Sequence, residues 1–436
     1  MTTTMTSGMT RQPSPRAVGR RTFLKAALGT AGALSLMPLA ACAAPNDPNR
    51  VTLGSRLSDK NAKAGLAGVI RSFEAATGMS VPINTVDSTS FQENVNNYLQ
   101  GTPDDVFTWM SGYRMRYFAQ KGLVDPIDTV WSDVGSGFNR GFQEGSTGND
   151  GRKFLVPFFY YPWAVFYRPS LWAERGYSPP ATHDDWIALC TQMQRDRLVP
   201  IGFGARDGWP PFGTLDYLNL RINGADFHRQ LLAGDIAWTD RRVYEVFDAF
   251  RELLPFQQAQ PLGRKVAEAQ QALLNREVGM MVVGMFVAQS FPEGPDRDDL
   301  DFFPFPLYDP AVGADAVEAP MDGFMLRRDP RNRAGSERLL EYLAQADPQV
   351  AYARLDPQAI PAHRAADLTQ FSPMVQKAAA LVQNSPEITQ FLDRDTRPDF
   401  ASVVMIPAMQ QFLGNPNDID GLLRSIERQK KAVFGS

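Results

Sequence analysis

The sequence predicts an α/β protein built on a mostly parallel sheet. Three observations carry that expectation. Strand and helix patterns alternate from residue 51, the third strand opens onto an aromatic turn, and a long aromatic run is broken by two prolines. Val51–Leu57 reads as a strand. In Lys60–Ala76 the apolar residues Leu66, Val69, Ile70 and Phe73 recur at helical spacing, and Gly78 follows as a stop signal. Val81–Val86 and Phe91–Leu99 repeat the pair, and Asp105–Trp109 reads as the third strand. A βαβαβ run places parallel strands side by side with helices over them, and ligands bind such sheets at the carboxyl ends of the strands. The turn Trp109–Tyr113 falls there.

Further on, Phe154–Tyr167 is apolar and aromatic but interrupted by Pro157 and Pro162. A proline cannot donate to a sheet ladder, so a ribbon passing from one lobe to another is expected rather than one regular central strand. Helical patterns follow at His183–Arg195, Thr214–Asn223 and Arg241–Leu254. Val278–Met285 reads as a buried strand and a second candidate crossing, and Ala319–Leu326 as a third. Ser336–Phe434 is mainly helical, with breaks at Pro361, Pro373, Pro386 and Pro407. No internal repeat is evident.

Hydrophobic residues at 44% and charged residues at 21% exclude disorder of the whole chain. The formal net charge of −4 hides an asymmetry. Residues 1–41 carry Arg11, Arg16, Arg20, Arg21 and Lys25 and no acid, which leaves 39 basic against 48 acidic residues in the remaining 395. A basic tip on an acidic body argues against nucleic-acid binding. The tip runs into an apolar stretch, Ala26–Ala41, ending at Cys42. Arg20-Arg21 before Phe23-Leu24-Lys25 resembles a twin-arginine export signal, with Gly19 in place of the usual hydroxyl residue. Leu39-Ala40-Ala41-Cys42 resembles a bacterial lipobox, which implies acylation of Cys42 and stable anchoring by its acyl chains. Residues 1–41 are thus expected to be a signal peptide and 42–50 a tether. Lipidation would leave Cys190 alone on an amphipathic helix, where a buried inert thiol is expected.

Catalytic motifs are weak. His183, His228 and His363 show no metal-ligand spacing, and Thr182–Asp185 reads as a helix cap. No GxSxG elbow, Walker loop or GxGxxG fingerprint is found. No catalytic residue, metal or cofactor is therefore assigned. What stands out is aromatic residues beside polar ones at turns: Trp109, Trp163, Trp209 and Trp238, whereas Trp172 and Trp186 fit helix faces. Sugars suit that combination, because their C–H faces stack on flat rings and their hydroxyls need fixed polar partners.

Several segments in order carry a resemblance: Pro103–Trp109, Gly112–Arg116 with Gly122–Val124, Asp150–Pro157, Pro162–Tyr167, Pro200–Gly204 with Asp207–Pro210, and Asn275–Met281 closing on Gly284–Phe286. Over residues 50–430 the chain resembles the extracellular solute-binding lipoproteins of carbohydrate ABC transporters, the maltodextrin-binding-like family 1 group. The resemblance implies a two-lobed periplasmic-binding-protein-like fold with interleaved lobes and a three-segment hinge near 157–164, 280–285 and 320–325. Lobe 1 would comprise 51–160 and 283–321, and lobe 2 would comprise 161–282 and 322–436.

It further implies an extracytoplasmic monomer, lipid-anchored to the cell membrane. Such a protein captures a carbohydrate between its lobes and delivers it to permease subunits. Trp109 and Tyr113 would stack on or edge the sugar and Arg114 would donate to it. Trp163 would lie at the first crossing. Asp207 would accept hydroxyl bonds beside a stacking Trp209. Met285 and Phe286 would line the second crossing, with Asp322 and Gly323 at the third. The first strand ends in Gly54–Ser58, where relatives often carry a tryptophan, so no aromatic contact is expected from that loop. Two other readings stand beside this one: a secreted carbohydrate-active enzyme, and the same fold serving a non-sugar solute.

Overall fold

The computed structural model describes residues 47–312 and 316–435. The export signal and Cys42 lie outside them. Thirteen strands are found among the described residues: β1 (Leu53–Ser55), β2 (Ile83–Thr85), β3 (Val106–Met110), β4 (Val124–Asp125), β5 (Val156–Tyr160), β6 (Trp163–Tyr167), β7 (Val199–Ile201), β8 (Val278–Gly284), β9 (Asp301–Phe303), β10 (Ala316–Glu318), β11 (Met321–Arg327), β12 (Ile360–Pro361) and β13 (Glu387–Thr389).

The opening alternation builds what it predicts. β1 pairs in parallel with β2 and β3, and the helix Lys60–Thr77 buries Leu66, Val69, Ile70 and Phe73. Each such apolar side chain removed from water contributes roughly 1.5–3 kcal/mol. The sheet continues in the order β12-β5-β11-β3-β1-β2, with β4 on β11, and its later strands run antiparallel. This seven-stranded sheet is the floor of the first lobe. A four-stranded sheet, β7-β8-β6-β9, is the floor of the second, and β10 and β13 form a small separate pair.

Strand membership corrects the expected lobe boundaries and two of the three crossings. The first crossing falls at Tyr161–Pro162, between β5 in one sheet and β6 in the other, within the range the prolines indicated. The second was expected at 280–285, but β8 pairs with β6 and β7 and stays in the second lobe. The chain returns only between β9 and β11, across 304–320. Residues 322–361 therefore belong to the first lobe, because β11 and β12 complete its sheet. A third crossing follows β12. The helix Pro373–Gln383 is tied to β9 by Lys377 Nζ and Asp301 at 2.9 Å, and Glu427 near the C-terminus accepts from the Trp238 backbone N–H at 2.8 Å.

Gly323 has a local reason. β11 shifts register against β5 between Asp322 and Gly323, where Pro157 stands opposite. A Cβ at 323 would lie 2.0 Å from the Val156 carbonyl oxygen, so only glycine allows the two backbones to meet. Pro157 supplies no N–H there, and the irregular register absorbs the missing ladder bond.

Thr182 and Asp185 form a reciprocal cap at the start of His183–Arg195, as their spacing suggests. Cys190 on that helix is fully buried, and burial pushes its thiol well above the ordinary range. Trp172 and Trp186 are core residues. Trp238, grouped by its neighbours with the turn tryptophans, is 1% exposed and belongs to the core as well.

Candidate ligand-binding site

A cleft of about 980 Å³ separates the lobes. The first-lobe wall comes from the helix Ser88–Gln100, the end of β3 and the helix Tyr113–Gln120, which present Gln92, Asn96, Trp109 and Arg114. The second-lobe wall carries Trp163, Asp207, Trp209, Phe286 and Phe391, with Asp393 and Arg394 beside them. Tyr161 of the first crossing lies between the two walls.

The second wall is an aromatic box. The Trp163 ring stacks on Phe391 at 4.5 Å and 17°. Trp209 stands edge-on to Trp163 at 6.1 Å and 90°, and at 5.9 Å from Phe286. β6 begins at Trp163, and its carbonyl accepts the Tyr217 hydroxyl. Gly213 leaves the room for the indole, because a Cβ there would meet the ring at 2.2 Å. Trp163 is 2% exposed and serves as the back of the box, whereas Trp209 is half-buried and presents ring surface to the cleft.

Trp109 plays a different part from the stacking expected of it. Its ring packs against Phe91 and Phe118 and is 1% exposed. Its Nε1–H is buried without an acceptor while the residue borders the cleft. Arg114 shares that position. Its Nη1 donates to Gln92 Oε1 at 2.9 Å, but its Nε is buried and unpartnered, and it forms no ion pair among the described residues. Burial lowers the Arg114 guanidinium below its ordinary range, against the raising effect of Asp393.

Asp207 borders the cleft but commits one oxygen, Oδ2, to the backbone N–H of Val266 at 2.8 Å. Four predicted residues do not line the cleft. Tyr113 uses its backbone N–H to bind Asp395 Oδ1 at 3.0 Å, which ties the two lobes beside the site. Met285 is fully buried, and its N–H donates to the Pro162 carbonyl. Gly323 lies inside the sheet bulge. Asp322 is buried beneath the cleft floor, where it accepts from Arg56 Nη2 and from Arg394 Nη1, the latter at 3.2 Å to each oxygen. Arg394 Nη2 donates onward to the Tyr161 hydroxyl at 2.7 Å. Burial opposes the Arg394 charge, but the Asp322 carboxylate outweighs it and holds the guanidinium above its ordinary range. Burial also pushes the Tyr161 phenol up to about 12.

Sequence reasoning missed Tyr161, Phe391, Asp393 and Arg394. Tyr161 was within the proline-marked run. The other three sit in and beside the short helix Leu392–Asp395, where nothing in the acidic and basic alternation distinguishes a cleft from a solvated turn. Asp393 is half-buried on the cleft wall, and its carboxylate has no hydrogen-bond or ion-pair partner among the described residues.

Two α/β lobes, a cleft walled by both, and buried donors awaiting an acceptor define a receptor that encloses a small solute. The sequence profile of the bacterial extracellular solute-binding protein family matches residues 57–350, and the chain belongs to that family. It is an extracellular solute-binding protein. The bacterial solute receptor AcbH, described as having an exclusive preference for β-D-galactopyranose, superposes with a TM-score of 0.81 at 40% identity, over 89% of this chain and 99% of that one. A chitin oligosaccharide binding protein shares the fold with a TM-score of 0.76 at 19% identity, over 88% and 98% of the two chains. The osmoprotective compounds-binding protein GgtB of Synechocystis sp. (strain PCC 6803) is 24% identical over 426 residues, covering 91% of this chain and 97% of its own. The family and these relatives are binding proteins rather than enzymes.

Proposed function

We propose that this chain captures a carbohydrate for import, as a monomer held at the outer face of the cell membrane by acylated Cys42, and hands it to permease subunits. The observation that carries the sugar reading is the second-lobe wall, which brings the half-buried Trp209 ring and the unpartnered Asp393 carboxylate to the same cleft. An aromatic face meets the C–H surface of a pyranose while a carboxylate accepts its hydroxyls, and the combination serves sugars better than wholly apolar solutes. The 40% identity to AcbH across nearly the whole chain makes D-galactose the first sugar to test. A ligand touching both walls favours the closed arrangement of the lobes, and a permease can read that arrangement as occupancy.

Trp209→Ala is expected to weaken sugar binding by about 30-fold or more, the scale of losing an aromatic anchor worth 2 kcal/mol. Its melting temperature without sugar should stay near wild type, because the ring is only half-buried. Tryptophan fluorescence titration checks the first and a thermal melt the second. Unchanged affinity in Trp209→Ala would remove the aromatic box from the site.

A further inference from the structure

The two walls of the cleft carry groups of opposite kind that have no partner in the protein: buried donors on the first and a half-buried carboxylate on the second. On the first lobe, Trp109 Nε1 and Arg114 Nε are buried donors with no acceptor. Arg114 is 8% exposed, and no carboxylate pairs with it among the described residues. On the second lobe, Asp393 is an acceptor with no donor. A buried donor left unsatisfied costs roughly 1–3 kcal/mol, so a fold that keeps two of them at a cleft edge gains when an acceptor arrives.

The groups are electrostatically coupled but do not touch. Asp393 supports the Arg114 charge without forming an ion pair with it. A sugar hydroxyl both accepts and donates, so one hydroxyl or a vicinal pair can accept from Arg114 and Trp109 while donating to Asp393. Neither an apolar ring nor a carboxylate can satisfy both walls, because the first has no polar atom and the second cannot donate.

We propose that Arg114 and Trp109 of the first lobe and Asp393 of the second form a clamp across the cleft that is completed by hydroxyl groups of a neutral sugar and selects sugars by the position of those hydroxyls. This rests on the carbohydrate reading above and assigns the residues that read the hydroxyl pattern. Trp209, backed by Trp163, supplies a surface common to all pyranoses. The clamp supplies discrimination, because an analogue lacking the bridging hydroxyl leaves buried polar groups unpaired.

The test is calorimetric titration of D-galactose and its 2-, 3-, 4- and 6-deoxy analogues into wild type, Asp393→Asn, Arg114→Lys and Trp209→Ala. Wild type should reject at least one deoxy analogue by about 10- to 100-fold, the scale of a hydrogen bond to a charged group. Asp393→Asn should weaken galactose by a similar factor and bind the rejected analogue about as well as it binds galactose. Arg114→Lys moves the donor on the facing wall and should flatten the same discrimination. A circular-dichroism melt matching wild type shows that each variant folds. Equal weakening of all five sugars by Asp393→Asn would mean a merely structural role and overturn the clamp. So would wild-type affinity in Asp393→Asn while Trp209→Ala loses binding, a result that leaves the carbohydrate reading standing. Absence of binding by wild type to galactose and to all four analogues would overturn the clamp.

Discussion

Asp322→Ala is expected to destabilise the protein by about 3–5 kcal/mol, the cost of leaving buried charge uncompensated. Asp322 is 4% exposed and is shared by two guanidiniums, Arg56 from the loop after β1 and Arg394 from the second lobe. Removing it places two positive charges together in a site that excludes water. The loss should reach the cleft as well, since Arg394 and the Tyr161 hydroxyl it holds both line it. Urea unfolding at pH 7 measures the effect. A loss below 1 kcal/mol would mean that water screens the network and that Asp322 is not the link between the lobes.

Glu318→Gln is expected to stabilise the protein, and increasingly so as pH rises. Glu318 on β10 is fully buried, and neither of its carboxyl oxygens finds a partner. Asp216 lies close by on the helix Pro211–Ala233, where its Oδ2 accepts from the Leu392 N–H. Burial raises the Glu318 carboxyl well above the ordinary range, and the negative charges of Asp216 and Asp393 raise it further, against Arg394. Burial likewise raises Asp216, with Asp393 and Asp395 adding to it.

A carboxyl raised on folding contributes stability in full below its unfolded value, near 4.3, and loses it as pH climbs through the folded value. Keeping one proton that the unfolded chain has released costs about 1.4 kcal/mol per pH unit. Glutamine has no proton to lose. The advantage of the variant over wild type should therefore grow between pH 5 and pH 8 by up to that slope until the folded value is passed. Burial lowers His228 and His363, which gives both proteins the opposite slope below about pH 6.5, but that contribution cancels in the difference. A constant difference across pH 5 to 8 would mean that Glu318 is ionised in the native state.

The first lobe's framework was legible because its signals are local. Helical spacing at Leu66, Val69, Ile70 and Phe73 and strands separated by single helices leave few arrangements. The first crossing was legible for the same reason, since Pro162 interrupts an aromatic run at the point where the chain changes sheets. The second crossing was not. β8 is apolar and buried almost throughout, and such composition reports burial without saying which sheet the strand joins. The β11 segment was recognised as special, but Asp322 and Gly323 serve the ion network and the bulge instead of the cleft surface.

The site divides in a similar way. Trp163 and Trp209 stand out because the chain has only seven tryptophans and these two lie beside turns, whereas Phe286 follows only from the family resemblance. Asp393 is one of 48 acids, and only the fold shows that it borders the cleft with no partner. Trp109 borders the cleft, but Phe91 and Phe118 pack against its ring, and a tertiary contact of that kind leaves no trace in sequence.

The most direct test of the central claim is calorimetric titration of a sugar panel led by D-galactose into the mature protein, with the same solutions assayed afterwards for released reducing ends. The expected result is one saturable site per chain with a Kd in the micromolar range or tighter, about −8 kcal/mol or better, and sugar recovered unchanged. No heat from any sugar, or hydrolysis of an oligosaccharide in the panel, would contradict it.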